Sequence, residues 1–420
     1  MINPLNVFKI KDLRYKVFSI IGLLAVSRLL ASIPVPNVDF ERLKNLFSSN
    51  QLLGFLDIFS GGGLSNLSIA MLGVGPYITA TIIMQLLTIV FPNLKKMYYE
   101  EGEMGRAKFN RVSRLITIPL ALVQSYGFLN FLNSRGVFTN LSGWNLFADM
   151  IIITAGSVIL MWLGELISEY HLGNGISLLI FSGIIAGLPA NLRLAAFSFD
   201  ASMLQSYLLF AAISVVVIAG VVFINEGERK VPISYARRVR GNKLYGGVSS
   251  YLPLKVNQAG VIPIIFAVSV LLFPQFIAQA FSLFSPDLSI KMNEWVLYLF
   301  NNGWIYGISY FVMVVLFTYF YTAVTFDPAE ISKNLQKSGG FIPGLRPGEQ
   351  TSSYLAKITG RTTLFGALFL GLIAVLPNII QGLTGIAMFR LGGTSLLIVV
   401  SVALEIMRQV ESQLAIRQYE

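Results

Sequence analysis

A membrane helix that is interrupted near its start constrains this chain more than any other feature. Residues 61–91 read GGGLSNLSIAMLGVGPYITATIIMQLLTIVF. Three glycines open the segment, Ser65, Asn66 and Ser68 follow, and Gly73-Val74-Gly75-Pro76 breaks it again. Only from Ile78 to Phe91 is the stretch cleanly apolar and long enough to cross much of a bilayer. Backbone amides left unpaired in lipid each cost several kcal/mol, so a break at membrane depth is shielded by protein or lines a wet cavity. Pro76 suits the first turn of the new helix, where a missing N–H has no partner to lose. The break points to a pathway through the membrane. The blander alternative is a surface loop ahead of an ordinary helix.

Composition supports the membrane reading. Of 420 residues, 55% are hydrophobic and 12% charged, about half the charge of a soluble protein. With no cysteine there is no disulfide or thiol chemistry, and the single histidine, His171, makes no multi-histidine metal site. Taking about 20 apolar residues per span, ten spans fall near 16–35, 74–91, 112–132, 148–168, 175–191, 204–224, 259–281, 304–326, 363–381 and 391–408. The fifth is short and the tenth marginal. The first is too long for the apolar core of a cleavable signal and reads as a retained span. Arg28 within it reads as a packing or snorkelling charge.

Basic residues select an orientation. The N-terminus, the loop around Lys95–Arg114, the loops 225–258 and 327–362, and the tail carry 24 Lys and Arg; the opposite loops carry six. The positive-inside rule places both termini in the cytoplasm. One loop of the basic set, 165–174, departs from it with Glu165 and Glu169 and no Lys or Arg. Five spans fall in the half 1–191 and five in the half 192–420. With an odd number of spans in each, two structural repeats would be inverted in the membrane.

The two long loops are too polar for the bilayer. In 225–258, Arg and Lys are clustered with Tyr235, Tyr245 and Tyr251; in 327–362, Gly339-Gly340, Pro343-Gly344 and Pro347-Gly348 are turn signals. Such loops suit docking to an RNA surface or an acidic protein, or charge that sets topology and touches anionic lipid. The spans are nearly free of charge away from their ends, with Gln85, Gln124 and Asn257 as polar exceptions that read as packing contacts. That argues against a secondary transporter, which needs ionisable groups near mid-membrane. Neither HExxH, GxSxG nor GxxxxGK[ST] occurs, so no catalysis, nucleotide site or cofactor is implied.

Five stretches, GGGLSNLSIAMLGVGPYI, HLGNGISLLIF, LPLKVNQAGVIPIIFA, NLQKSGGFIPGLRPGEQT and FRLGGTSLLIVV, closely resemble the SecY family. Its members are pore subunits of the general protein-translocation channel of bacterial cytoplasmic membranes. The matches keep the family's order and cover essentially the whole chain. The resemblance implies an all-α channel of ten transmembrane helices, two inverted five-helix halves around an hourglass pore that also opens sideways into lipid. Carried over by motif, the pore ring is Val74, Ile78, Ile176, Ile180, Ile265 and Ile398, with Ile184 an alternative one turn beyond Ile180. The stretch 53–72, with Gly61, Gly62, Leu64, Ser65, Asn66 and Ser68, resembles the family's plug, a short helix under the ring. Thr79 and Phe273 match the lateral gate, where the second and third spans part from the seventh and eighth. Arg346 and the basic positions Lys230, Arg237, Arg238 and Lys243 match docking sites for a motor and the ribosome. Implied partners are SecE and SecG-type small subunits, the SecA ATPase, the ribosome, preprotein signal sequences and membrane lipid. Asn242 stands where many relatives have a second basic residue. An accessory paralogue with few substrates, a secondary transporter and a poreless scaffold are the alternatives.

Overall fold

The structure, a computed structural model, describes residues 10–36, 38–49, 57, 60–99, 101–138, 143–197, 204–235, 238–240, 243–245, 249–281, 286–384 and 388–418. Helices account for most of it. They group with the strands into two compact units: Met1–Leu208 with Val268–Tyr306 and Val402–Glu420, and Leu209–Ala267 with Gly307–Ser401.

The first unit opens with α1 (Lys11–Ser32) and the short amphipathic α2 (Phe40–Ser49). After the broken region come α3 (Gly75–Val90) and α4 (Pro92–Tyr99), bent from one another by 116° at Phe91. Proline at the start of each explains the bend, because it begins a helix readily and cannot continue one. Then follow α5 (Gly102–Ser134), α6 (Gly143–Glu169) and α7 (Gly175–Phe197). At 33 residues α5 is about 50 Å long, more than a bilayer core requires. Its first turns carry Arg106, Lys108, Arg111 and Arg114 out of the apolar region, so the expected basic loop is largely helical. Gly105 lets α4 cross closely, its α-carbon lying under the Met97 carbonyl, and Tyr98 meets Phe109 edge-on with ring centroids 4.8 Å apart. Helix α8 (Leu204–Glu226) leads out of this unit.

In the second unit, the loop expected over 225–258 is a folded ribbon. Strand β1 (Glu228–Tyr235) pairs antiparallel with β4 (Ser249–Lys255), Val231 opposite Leu252, while β2 (Arg238–Arg240) pairs with β3 (Lys243–Tyr245). Helix α9 (Ile262–Phe281) starts here and from Val268 belongs to the first unit, as does α10 (Pro286–Asn301); α11 (Gly303–Thr325) returns to the second unit at Gly307. The loop expected over 327–362 holds α12 (Pro328–Lys337), capped by Asp327, and β5 (Gly340–Phe341), which pairs with β1 at Ser234 and Tyr235. Helix α13 (Glu349–Thr384) begins 14 residues before the expected ninth span, and α14 (Met388–Gln418) runs past the expected tenth. Val231, Leu254, Ile342 and Leu355 are buried together, with Phe326, Ile331 and Leu345 against them. The two polar loops therefore share a small core of their own. Segments this polar would stay open without it.

By length and composition, six helices among the described residues can cross a membrane, or seven if α3 and α4 form one broken span. Two shorter apolar stretches, Gly175–Pro189 and Ile262–Gln275, lie in α7 and α9.

Candidate pore, plug and docking loops

Residues 61–74 run as successive turns, after helical positions at Asp57 and Ser60. Gly61, Gly62 and Gly73 have φ of 68°, 81° and 58°, a region open to glycine at little cost. Leu67 adopts φ 42°, a strained choice held by packing. The polar residues of the segment satisfy the turns. Ser60 Oγ accepts from Leu64 N at 3.0 Å, Asp57 Oδ1 accepts from Ser65 N at 2.7 Å, and Ser68 Oγ donates to the Gly63 carbonyl at 2.9 Å while accepting from Ala70 N at 3.2 Å. Of the expected plug residues, Ser65 and Asn66 are exposed, whereas Gly61, Leu64 and Ser68 are buried. Residues 53–56, 58 and 59 of the expected plug lie outside the described set.

The segment is packed firmly. Leu64, Leu67 and Met71 enter a core with Val35, Leu43, Phe128, Leu129, Leu132 and Ile153, drawn from α2, α5, α6 and the chain after α1. Each such side chain contributes about 1.5–3 kcal/mol by leaving water. The end of α1 adds backbone pairing: Val35 N donates to Leu67 O at 2.8 Å, and Ile69 N to Ile33 O at 2.9 Å. Arg28, near the C-terminal end of α1, donates from Nη1 to the Gly61 carbonyl. That contact was not visible in the sequence, where Arg28 read as a packing or snorkelling charge.

The segment feeds directly into α3. Val74 occupies the N-cap position and Ile78 lies one turn on, 3% and 5% exposed; residues four apart share a helix face. Thr79 beside them is buried and donates to the Gly75 carbonyl at 3.0 Å. On α7, Ile180 and Ile184 are buried. Ile176 is half-buried, its Cδ1 end against Gly164 of α6. In the second unit Ile265 and Ile398 are buried. Phe273, on the part of α9 that belongs to the first unit, is half-buried. Gln85 and Gln124 are buried as expected of packing residues. Asn257 does more: its amide donates to Asn225 Oδ1 at 2.8 Å, and its Oδ1 accepts from Gly260 N at 3.0 Å. Asn225 in turn reaches Ser401 Oγ at 3.1 Å. The network fastens the root of the β-ribbon to α8 and α14.

Arg346 lies in the turn between β5 and α13. Its side chain is exposed, yet its backbone is fixed: its carbonyl accepts from Thr351 Oγ1 at 2.9 Å, and Ser332 Oγ donates to Gly348 O at 2.6 Å. Leu345 beside it is packed into the loop core. Lys230 is exposed over the Tyr251 ring, 4.8 Å from its centroid, and 3.5 Å from Glu228. Arg238 and Lys243 fall on β2 and β3, and Arg237 lies outside the described residues. Register places Arg240 opposite Lys243, a further basic position that sequence reading did not single out. The acidic exception at 165–174 has a direct cause: Glu165 pairs with Arg114 of α5 at 2.5 Å.

A helical, multi-pass membrane protein with a broken, plugged span and two basic loops folded into one projection defines a narrow class. The SecY family model matches residues 68–407. SecY subunits of the protein translocase are 41% identical in Corynebacterium glutamicum and 43% identical in Thermus thermophilus; the alignments cover 99% of this chain and 98% and 96% of theirs. The chain belongs to the SecY family. Solved structures agree on the fold. A protein conducting channel matches with TM-score 0.65 at 20% identity, covering 94% of this chain and 90% of that one. A SecY channel whose plug domain stabilises the closed state matches with TM-score 0.63 at 21% identity, covering 94% and 91%.

Proposed function

We propose that this chain is a protein-conducting channel that passes unfolded preproteins across a bacterial cytoplasmic membrane and releases apolar segments sideways into lipid. The observation that carries the reading is the segment 61–74. It is a non-helical plug, internally hydrogen-bonded and packed among membrane helices, that leads without a linker into Val74 and Ile78. Non-helical backbone at membrane depth is tolerated where protein shields it or where it lines a wet cavity, and a plugged channel supplies both settings.

In this reading each of Val74, Ile78, Ile180, Ile265 and Ile398 lines the conducting path. Ile176 is the weakest member, because its end is spent on Gly164. Branched aliphatic side chains exclude ions by dewetting and make no sequence-specific hydrogen bonds, so they accept any translocating chain. Thr79 and Phe273 lie on the lateral gate. The fold has ten spans in two inverted halves, 1–191 and 192–420, with both termini cytoplasmic. Arg346, Lys230, Arg237, Arg238 and Lys243, joined by Arg240, face the cytoplasm and dock a SecA-type ATPase or the ribosome. SecE and SecG-type subunits complete the complex, and the chain itself catalyses nothing.

The test is transport of a labelled preprotein into vesicles containing the purified complex and the motor. Protease-protected preprotein that depends on this chain supports the proposal. Vesicles that bind the motor yet protect nothing would refute it.

A further inference from the structure

We infer that Arg28 is a positioning residue that keeps the plug seated by holding the carbonyl of Gly61; this rests on reading residues 60–72 as a plug. Four observations converge at one point in the first unit. Arg28 Nη1 donates to the Gly61 carbonyl. Gly61 has φ 68°, and a Cβ added there would lie 2.7 Å from Arg28 Nη2, so neither a normal side chain nor a relaxed backbone fits the contact. Gly183 of α7 lies directly under the Gly61 α-carbon, where a Cβ would collide with it. Arg28 Nε is buried with no hydrogen-bond partner. The plug neck is thus clamped between a guanidinium on α1 and a bare patch on α7.

The physics makes this contact decisive for the plug's position. Arg28 stands 12 residues beyond Lys16 on α1, about 18 Å along the axis, and four residues before the helix ends at Ser32, still within the apolar span. A charge at that depth is costly and seeks partners. That cost is common to seated and released plugs, because α1 crosses the membrane in both. The Gly61 carbonyl is what differs. Seating gives Arg28 a charge-assisted hydrogen bond, stronger than a neutral one, and gives the carbonyl of a non-helical residue the donor it lacks. Release leaves both without their mate. Among its described contacts, Arg28 reaches the plug at Gly61. It acts through Gly61.

The experiment records single-channel conductance of the complete complex in planar bilayers without substrate. Arg28→Gln is expected to raise the open fraction by about ten- to a hundredfold, the effect of losing one hydrogen bond to a charged group. Arg28→Lys, which keeps a cationic donor, should fall between it and the parent. Gly61→Ala removes the same contact from the other side and should leak similarly, and the double variant should leak no more than the worse single one. A folded Arg28→Gln channel as tight as the parent, or tighter, overturns the inference. If Arg28→Gln does not assemble, Gly61→Ala decides, and a tight channel there overturns it equally. Deleting residues 62–68 separates the two readings. A leak on deletion with none in Arg28→Gln refutes the clamp alone, and no leak on deletion refutes the plug and the clamp together.

Discussion

The carbonyl oxygen of Ile69 rests against the bare α-carbon of Gly156 on α6, so that a Cβ at Gly156 and the observed plug segment exclude one another. The obstacle is backbone, which cannot swing aside as a flexible side chain would. Overpacking of this kind costs about 1–3 kcal/mol. Gly156→Ala is expected to lower the melting temperature of the purified chain and raise its resting ion conductance together. Unchanged conductance alongside a lowered melting temperature would mean that Gly156 supports the helix bundle but not the seal.

Ser68 and Ser65 look alike in the sequence and differ in the structure. Ser68 is fully buried and joins Gly63 to Ala70; Ser65 is exposed, and its hydroxyl donates to the Gly62 carbonyl at the surface. Ser68→Ala strands a buried amide and should cost about 1–3 kcal/mol. Ser65→Ala should stay within about 0.5 kcal/mol of the parent. Thermal unfolding of both variants in detergent checks the contrast, and equal losses would contradict the hydrogen-bond assignment.

Asp57 gives the plug a pH dependence. Burial pushes its carboxyl above the ordinary value of 3.8, and hydrogen bonds from Ser65, Leu64 and Ser60 pull it back only in part. A raised carboxyl holds its proton more tightly in the packed state than in the released one. Its contribution to packing is therefore complete below 3.8 and is lost as pH rises through the raised value. The chain has no cysteine, so a single Met71→Cys, at a position buried in the packed segment, reports plug release to an impermeant maleimide without background. Labelling, divided at each pH by that of a free thiol because the thiolate is the reacting form, should rise over that interval and lose this rise when Asp57→Asn is added. The same slope in both proteins would assign the effect to another group.

Arg346 is exposed on a turn whose neighbours are fixed in the loop core. Arg346→Glu should leave the melting temperature within the range of ordinary surface changes, about 0.5 kcal/mol. It should nonetheless abolish most motor-stimulated transport, because charge reversal opposes the docking partner rather than merely releasing it. Transport at the parental rate would remove Arg346 from the docking surface.

The local signals in this sequence were legible, and the long-range ones were not. Pro76 and the glycines at 61–63 and 73–75 announced the break, and α3 starts at Gly75 as they require. The Gly and Pro pairs of the 327–362 loop marked real turns around β5. The β-ribbon in 225–258 escaped notice because Pro232 and Pro253 sit inside its strands, where proline ordinarily argues against them. Its stability comes from Ile342 and Leu355, a hundred residues further on. Arg28 and Gly61 are 33 residues apart, and no periodicity links them. The acidic loop made sense only once Arg114 was seen beside Glu165.

The central claim, that a polypeptide passes Ile78, is tested most directly by a photoreactive residue there in membranes holding an export substrate arrested midway. The account predicts crosslinks to the arrested chain from Ile78 and none from the exposed position Ile89 on the same helix. Equal labelling from the two positions, or none from Ile78 while the substrate is demonstrably held by the complex, would contradict it.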